Sequence, residues 1–171
     1  MPLRIAIHGK SFSAENRPLM ENLWDILCKK DCQIVLSAFF KNHLAEHQFQ
    51  VGDMESYEEQ SGTPADVQMA WSIGGDGTLL ETLTHIGNKE LPILGINTGR
   101  LGFLATLSPQ DVSAAVDQLI AGNYRIEDRT LVSVHSEIDL FDGKQFGLNE
   151  VGIMKTDTSS MIVIKAYVDG N

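Results

Sequence analysis

Gly74-Gly75-Asp76-Gly77-Thr78 is the stretch of this sequence best equipped for chemistry. Glycines let a backbone approach a phosphate with no Cβ in the way. A helix that begins just beyond Thr78 would offer unpaired N–H groups and the positive end of its dipole to an anion. A carboxylate among those glycines is electrostatically odd at a phosphate site. It becomes useful if Asp76 accepts a proton from an attacking hydroxyl or helps hold a metal ion. The competing reading is a tight Gly-rich turn whose Asp caps the next helix.

Other residues with chemical potential are scattered. Gly9-Lys10 follows the first apolar run, and Lys10 is either a point charge for phosphates or an ordinary surface lysine. Asn97 and Phe103 lie in a second Gly-rich stretch, where Asn97 either contacts ligand or satisfies a turn, and Phe103 either contacts ligand or fills core. Asn149-Glu150 is either a ligand-binding pair or a structural polar pair. The five histidines, His8, His43, His47, His85 and His135, show no metal-ligand spacing. His43 and His47 are four apart with no evident third ligand, so no metal site is expected. Cys28 and Cys32 have neither redox nor zinc-ribbon spacing and read as reduced thiols on one helix face. A cytoplasmic location is the default expectation for such a chain.

The elements that must position these residues are legible from periodicity. Leu3–His8, Gln33–Ser37, Asp66–Ile73 and Pro92–Ile96 read as strands. Leu19, Leu23, Ile26 and Leu27 recur at helical spacing behind Pro18, and Phe39, Phe40 and Leu44 suggest a short helix. Leu79, Leu80, Leu83 and Ile86 form a helix stripe after the glycine loop. Ser108-Pro109-Gln110-Asp111 predicts a helix start, with Ser108 as N-cap and Gly122 as the stop. The acidic stretch Gly52–Pro64 reads as a solvated loop. Alternating strands and helices predict an α/β domain over residues 1–124, with a doubly wound, mostly parallel sheet. From 125 to 171 the pattern changes. Arg125–Ile138, Gln145–Ile153 and Met161–Val168 are strand-like, with turn signals at Asp142-Gly143 and Thr156–Ser160, so the start of an antiparallel all-β domain is expected there.

Composition narrows the function classes. With 171 residues, 43% of them hydrophobic, one complete α/β domain has a sizeable core. A net charge of −10 argues against a nucleic-acid partner. No apolar run approaches the roughly 18 residues of a membrane span, so no membrane partner is expected. No G-x-G-x-x-G follows the first strand, which argues against a plain dinucleotide oxidoreductase.

The motif combination resembles the NAD kinase family. GGDG alone is shared with phosphofructokinases and with diacylglycerol and sphingosine kinases. The stretch Gly95-Ile96-Asn97-Thr98-Gly99-Arg100-Leu101-Gly102-Phe103-Leu104 matches the family's G-x-N-x-G-x-L-G-F-L, and Leu148-Asn149-Glu150-Val151 resembles its second motif, an Asn-Glu pair on a strand of the β-domain. The resemblance runs from Ile5 to Val168. It implies phosphoryl transfer from ATP, or in some bacterial members polyphosphate, to the 2′-hydroxyl of the adenosine ribose of NAD, giving NADP, with Mg²⁺ or another divalent cation. It implies Asp76 as general base and Gly74, Gly75, Gly77 and Thr78 around the phosphate and ribose. Asn97 and Phe103 would lie along the adenine side, Asn149 and Glu150 would bind the dinucleotide, and Lys10 would meet donor phosphates. A homo-oligomer is implied for the full-length form. The family's later T-P-[ST]-G-[ST]-T-A-Y segment has no counterpart here, and Asp169-Gly170 reads as a hairpin turn. The chain is therefore expected to be truncated at its C-terminus and inactive by itself. Two other functions are compatible with the glycine loop: a non-catalytic dinucleotide-binding module, and a lipid or sugar kinase.

Overall fold

The computed structural model describes residues 2–30, 32–99, 102–156 and 161–171. Among these, the chain divides into two compact units, Met1–Glu127 and Asp128–Asn171.

The first unit is an α/β layer structure. Its strands are β1 (Leu3–Gly9), β2 (Cys32–Ser37), β3 (Glu55–Tyr57), β4 (Met69–Gly74) and β5 (Ile93–Asn97). They pair in parallel in the order β3-β2-β1-β4-β5. Strand order reverses between β1 and β4, and open sheets of this kind bind ligands at the carboxyl ends of the strands flanking that switch point. Gly9-Lys10 and Gly74-Gly75 occupy those two ends.

Side-chain alternation along the strands builds two unlike faces. Ile5 and Ile7 of β1, Leu36 of β2, Met69, Trp71 and Ile73 of β4 and Ile96 of β5 belong to one large apolar cluster. It is completed by helices α1 (Arg17–Lys29), α2 (Ala38–Glu46) and α4 (Val112–Ile120). On α1 the buried residues are Met20, Leu23, Trp24 and Leu27, the spacing of one helix face, each contributing about 1.5–3 kcal/mol through burial. The opposite face is smaller and more polar, with Ala6 and His8 on β1, Val35 and Ser37 on β2, and Ala70 and Ser72 on β4, all buried. Helix α3 (Asp76–Ile86) presents Thr78, Thr82 and His85 as its own buried polar residues. A Cβ on Gly95 would lie 2.8 Å from Leu79 Cδ1 of α3, so that strand position needs glycine for close approach.

Several boundaries differ from the sequence reading. The glycine loop does not precede a helix that begins beyond Thr78: Gly75 is the N-cap and Asp76 is already the first helical residue. The Gly52–Pro64 stretch is not a plain loop. It contains β3 and a 3-10 turn, Glu59–Ser61, because Val51 and Tyr57 are buried and Arg4 pairs with Glu55 at 2.7 Å on the sheet edge. Ser108 does not cap α4. Its hydroxyl donates to Asp111 Oδ2 at 2.7 Å, Asp111 N returns to Ser108 O at 3.1 Å, and the closed turn delays the helix to Val112 with Asp111 as N-cap.

The second unit holds an antiparallel pair, β6 (Leu131–Ser133) and β7 (Phe146–Leu148), in the register Leu131↔Leu148 and Ser133↔Phe146. The three long strands expected there shrink to these two short ones, and Met161–Val168 is not a strand. Extended backbone becomes strand only where a partner satisfies its N–H and C=O groups. The Asp142-Gly143 turn forms as expected, with left-handed φ of 50° and 78°. Asp169-Gly170 forms a second one, with φ of 51° and 81° and reciprocal Val168–Asn171 backbone bonds. Of the expected Thr156–Ser160 turn, residues 157–160 lie outside the described residues.

Candidate functional site

The site is built at the carboxyl ends of β4 and β5. β4 ends at Gly74, where a Cβ would lie 2.2 Å from Thr78 Oγ1, so the strand-to-helix turn closes this tightly only on glycine. Thr78 itself is buried beneath that turn and holds the helix start together rather than standing open to solvent. Gly75 and Gly77 are different. Each is exposed, and a Cβ built on either would meet nothing within 4 Å. Open space therefore lies over the first turn of α3, where Thr78 N donates to Gly75 O at 3.0 Å and the N–H groups ahead of it, at the positive end of the helix, favour an anion.

From the end of β5 the chain arches over the start of α3 and returns, with Asn97 N donating to Leu107 O at 2.8 Å and Leu107 N to Gly95 O at 3.2 Å. Two polar side chains pin this arch. Asn97 is buried, donates from Nδ2 to Ala105 O at 3.2 Å and accepts from Gly99 N at 2.8 Å on Oδ1. Asp76 accepts from Phe103 N at 2.9 Å on Oδ2, and from Leu104 N at 2.9 Å and Ala105 N at 3.0 Å on Oδ1. The N–H groups of Ala105, Phe103 and Leu104 hold the Asp76 carboxyl below the usual carboxylate range. It is thus an ionised acceptor. Oδ1 has both acceptor positions filled, and Oδ2 keeps one.

Phe103 rides on the pinned arch with its side chain 94% exposed, which overturns the core reading and leaves an aromatic face in solvent. Arg100 and Leu101 of the same motif lie outside the described residues. A cleft of about 200 Å³ opens beside the arch, lined by Asn97, Thr98, Gly99 and the Ser108–Gln110 turn. Lys10, at the end of β1, is half-exposed, and its Nζ pairs with Glu81 Oε2 of α3 at 3.1 Å.

Asn149 and Glu150 belong to the second unit. They are not on a strand: β7 ends at Leu148, Asn149 takes a left-handed φ of 70°, and Glu150 N bonds Leu148 O at 2.9 Å. Both side chains are exposed, so the pair is not a buried structural one.

The fold also gathers residues that linear spacing missed. His8, His85 and Glu59 each offer a ligand atom, and these atoms lie within 4.8 Å of one another. The available signal was His8 on the polar side of an otherwise apolar strand and His85 on the buried face of α3. His43 and His47 meet at a tilt, 4.3 Å between ring centroids, and both contact Phe12 instead. Among the described residues, no helix is long and apolar enough to cross a membrane.

The geometry has relatives. Residues 5–124 match the family described as the ATP-NAD kinase N-terminal domain. The NAD kinase of Cytophaga hutchinsonii is 38% identical over 165 residues, covering 96% of this chain and 56% of that protein. Those of Bacteroides fragilis and Methanothermobacter thermautotrophicus are each 33% identical, covering 98% of this chain and 57% and 55% of theirs. The chain thus spans a little over half the length of these curated relatives. A crystal structure of yeast NADH kinase complexed with NADH superposes with a TM-score of 0.62 at 16% identity, over 86% of this chain and 46% of that one, a likeness of fold alone. A parallel sheet with the glycine loop at its switch point, matched over most of its length by the family's N-terminal domain, establishes that this chain belongs to the NAD kinase family.

Proposed function

We propose that the protein transfers a phosphoryl group from ATP, or from polyphosphate, to the 2′-hydroxyl of the adenosine ribose of NAD, giving NADP. The observation that carries this reading is Asp76: an ionised carboxylate at the first turn of a helix, with one lone pair of Oδ2 uncommitted, beside open space over Gly75 and Gly77. In a loose phosphoryl-transfer transition state the hydroxyl proton leaves late, so an acceptor that orients the hydroxyl suffices even when it is a weak base. Gly74 and Thr78 shape the turn from beneath, and Gly75 and Gly77 leave room for phosphate and ribose.

Mg²⁺ travels with donor phosphates and uses only one or two protein carboxylates. The one open position on Asp76 Oδ2 serves the hydroxyl and Glu81 is paired with Lys10, so the metal would be held by the donor phosphates and water. When bound, the metal neutralises charge on the transferred group. Lys10 meets donor phosphates by exchanging Glu81 for them. Phe103 offers its exposed ring to the adenine, Asn97 holds the arch that carries it, and exposed Asn149 and Glu150 take the dinucleotide's base and ribose. We assign residues 1–124 to the nucleotide-binding domain and 125–171 to the β-domain, with NADP supply in the cytoplasm as the role and a homo-oligomer as the full-length form.

One observation favours a non-catalytic dinucleotide module instead: three N–H groups already occupy Asp76. Asp76→Asn in a chain of the relatives' full length separates the two. Catalysis predicts a folded variant that binds NAD and loses about 10²–10⁴ in NADP formation. Unchanged turnover would remove the proton-acceptor role.

A further inference from the structure

The layer between α3 and the sheet mixes buried apolar residues such as Leu79 and Ile86 with buried polar ones, and one part of it is arranged like a metal site. His8 is fully buried at the end of β1. Its Nδ1 lies 2.8 Å from Ser37 Oγ, while its Nε2 is buried and makes no hydrogen bond, with Glu81 Oε1 at 3.7 Å. His85 of α3 is 2% exposed, and its Nδ1 lies 3.2 Å from Tyr57 Oη. The two imidazoles meet edge to face, 4.4 Å between centroids. Glu59, from the 3-10 turn that follows β3, brings a carboxylate to the same point, and one ligand atom from each of the three residues falls within 4.8 Å of the others.

We infer that His8, His85 and Glu59 form a binding site for a divalent transition cation, zinc above all. It is distinct from the nucleotide site and clamps the segment carrying Glu59 onto α3. The chemistry suits the set. Two neutral imidazoles and one carboxylate are a zinc donor combination, and tetrahedral ligands at about 2.0–2.1 Å leave a fourth position for water. Each histidine has its Nδ1 within hydrogen-bond distance of a hydroxyl, which orients the ring, and where that hydroxyl accepts the Nδ1 proton, Nε2 carries the lone pair that a metal needs. A buried ring nitrogen without a hydrogen bond costs stability unless something fills the place. The three donors lie within 4.8 Å of one another, and Glu59, on the 3-10 turn, is the least buried of them. The helix so fastened is the one whose first turn carries Asp76.

The experiment is zinc titration of the chelator-treated 171-residue chain by calorimetry, with Co²⁺ absorption reporting ligand type. One zinc per chain is expected, with a raised Tm and a Co²⁺ spectrum lacking thiolate bands. Glu59→Gln, at a partly exposed position, should weaken zinc at least tenfold. Tyr57→Phe keeps the ring packing and should weaken it by about 10–100-fold through loss of the hydroxyl that orients His85. Both variants are checked for an unchanged circular dichroism spectrum. No stoichiometric binding by the wild-type chain, or unaltered affinity in both variants, would overturn the proposal. So would a thiolate band from Cys28 and Cys32, or loss of binding in His43→Gln/His47→Gln, which would assign the ion elsewhere.

Discussion

A Cβ placed on Gly102 would lie 2.2 Å from Asp76 Oδ1, so the carboxylate and the glycine share a space that admits no further atom. This contact explains two features of the motifs at once. The glycine is required because the arch must come close enough for three consecutive N–H groups to reach Asp76. The aspartate is required because the three N–H groups converge on one point, and that of fully buried Ala105 needs an acceptor from the protein. The residue expected to perform chemistry therefore also builds the wall beside it.

Gly102→Ala tests that relation directly. The added methyl cannot be relieved by swinging a flexible side chain, since Asp76 is short and held at three points. The variant should lose the three hydrogen bonds, lower Tm by several degrees, and speed amide exchange at Phe103, Leu104 and Ala105 while leaving β1 and β2 unaffected. Unchanged exchange at those three amides would mean the arch does not depend on the contact.

The pH dependence of the arch has a definite sign. Asp76 has a folded pKa below its ordinary value of 3.8. Its contribution is therefore complete above that value and is lost as pH falls through the depressed folded pKa. Amide resonances of Phe103, Leu104 and Ala105 should titrate together with a midpoint under 3.8 and stay flat in Asp76→Asn. A midpoint above the ordinary value would mean that the hydrogen bonds do not favour the ionised form.

Phe103 and Glu150 should divide the labour of binding. In a chain of the relatives' full length, Phe103→Ala removes an exposed ring and should weaken adenine nucleotides by about 1–3 kcal/mol if a base stacks there. Glu150→Ala should weaken NAD much more than ATP. Calorimetric titration with each nucleotide decides both. Equal loss of NAD and ATP affinity in Glu150→Ala would return that residue to a structural role.

The 171-residue chain by itself should form no measurable NADP while its first unit stays well protected from hydrogen exchange. Phosphoryl transfer depends on holding two substrates in register. In the second unit Ile153, Met154, Met161, Val163 and Val168 are all exposed, and the described sheet there has two strands. Robust NADP formation, or protection beyond residue 128 equal to that of β1, would refute this expectation.

Period and composition in the sequence were sufficient for four of the first unit's five strands and for its helices, but not for β3, which lies in an acidic stretch and forms against β2. Ile5 and Ile7, Val35, Trp71 and Ile73 alternate or cluster as buried strands do, and the α1 stripe of Leu23 and Leu27 recurs at helical spacing because burial demands it. The glycine loop was legible for the same local reason: a strand that must turn sharply into a helix needs residues without a Cβ. Other features depend on which partners arrive through space. That Asp76 starts α3 and spends its lone pairs on Phe103, Leu104 and Ala105 follows from an arch 27 to 29 residues further on. That Phe103 points to solvent, although Leu104 follows it, comes from the arch being held by its backbone. The Arg125–Ile138 and Gln145–Ile153 stretches have the pattern of long strands, yet form strand only at Leu131–Ser133 and Phe146–Leu148, where each finds the other. His8 and His85 meet because β1 and α3 pack face to face across the polar layer, a distance that no local spacing encodes.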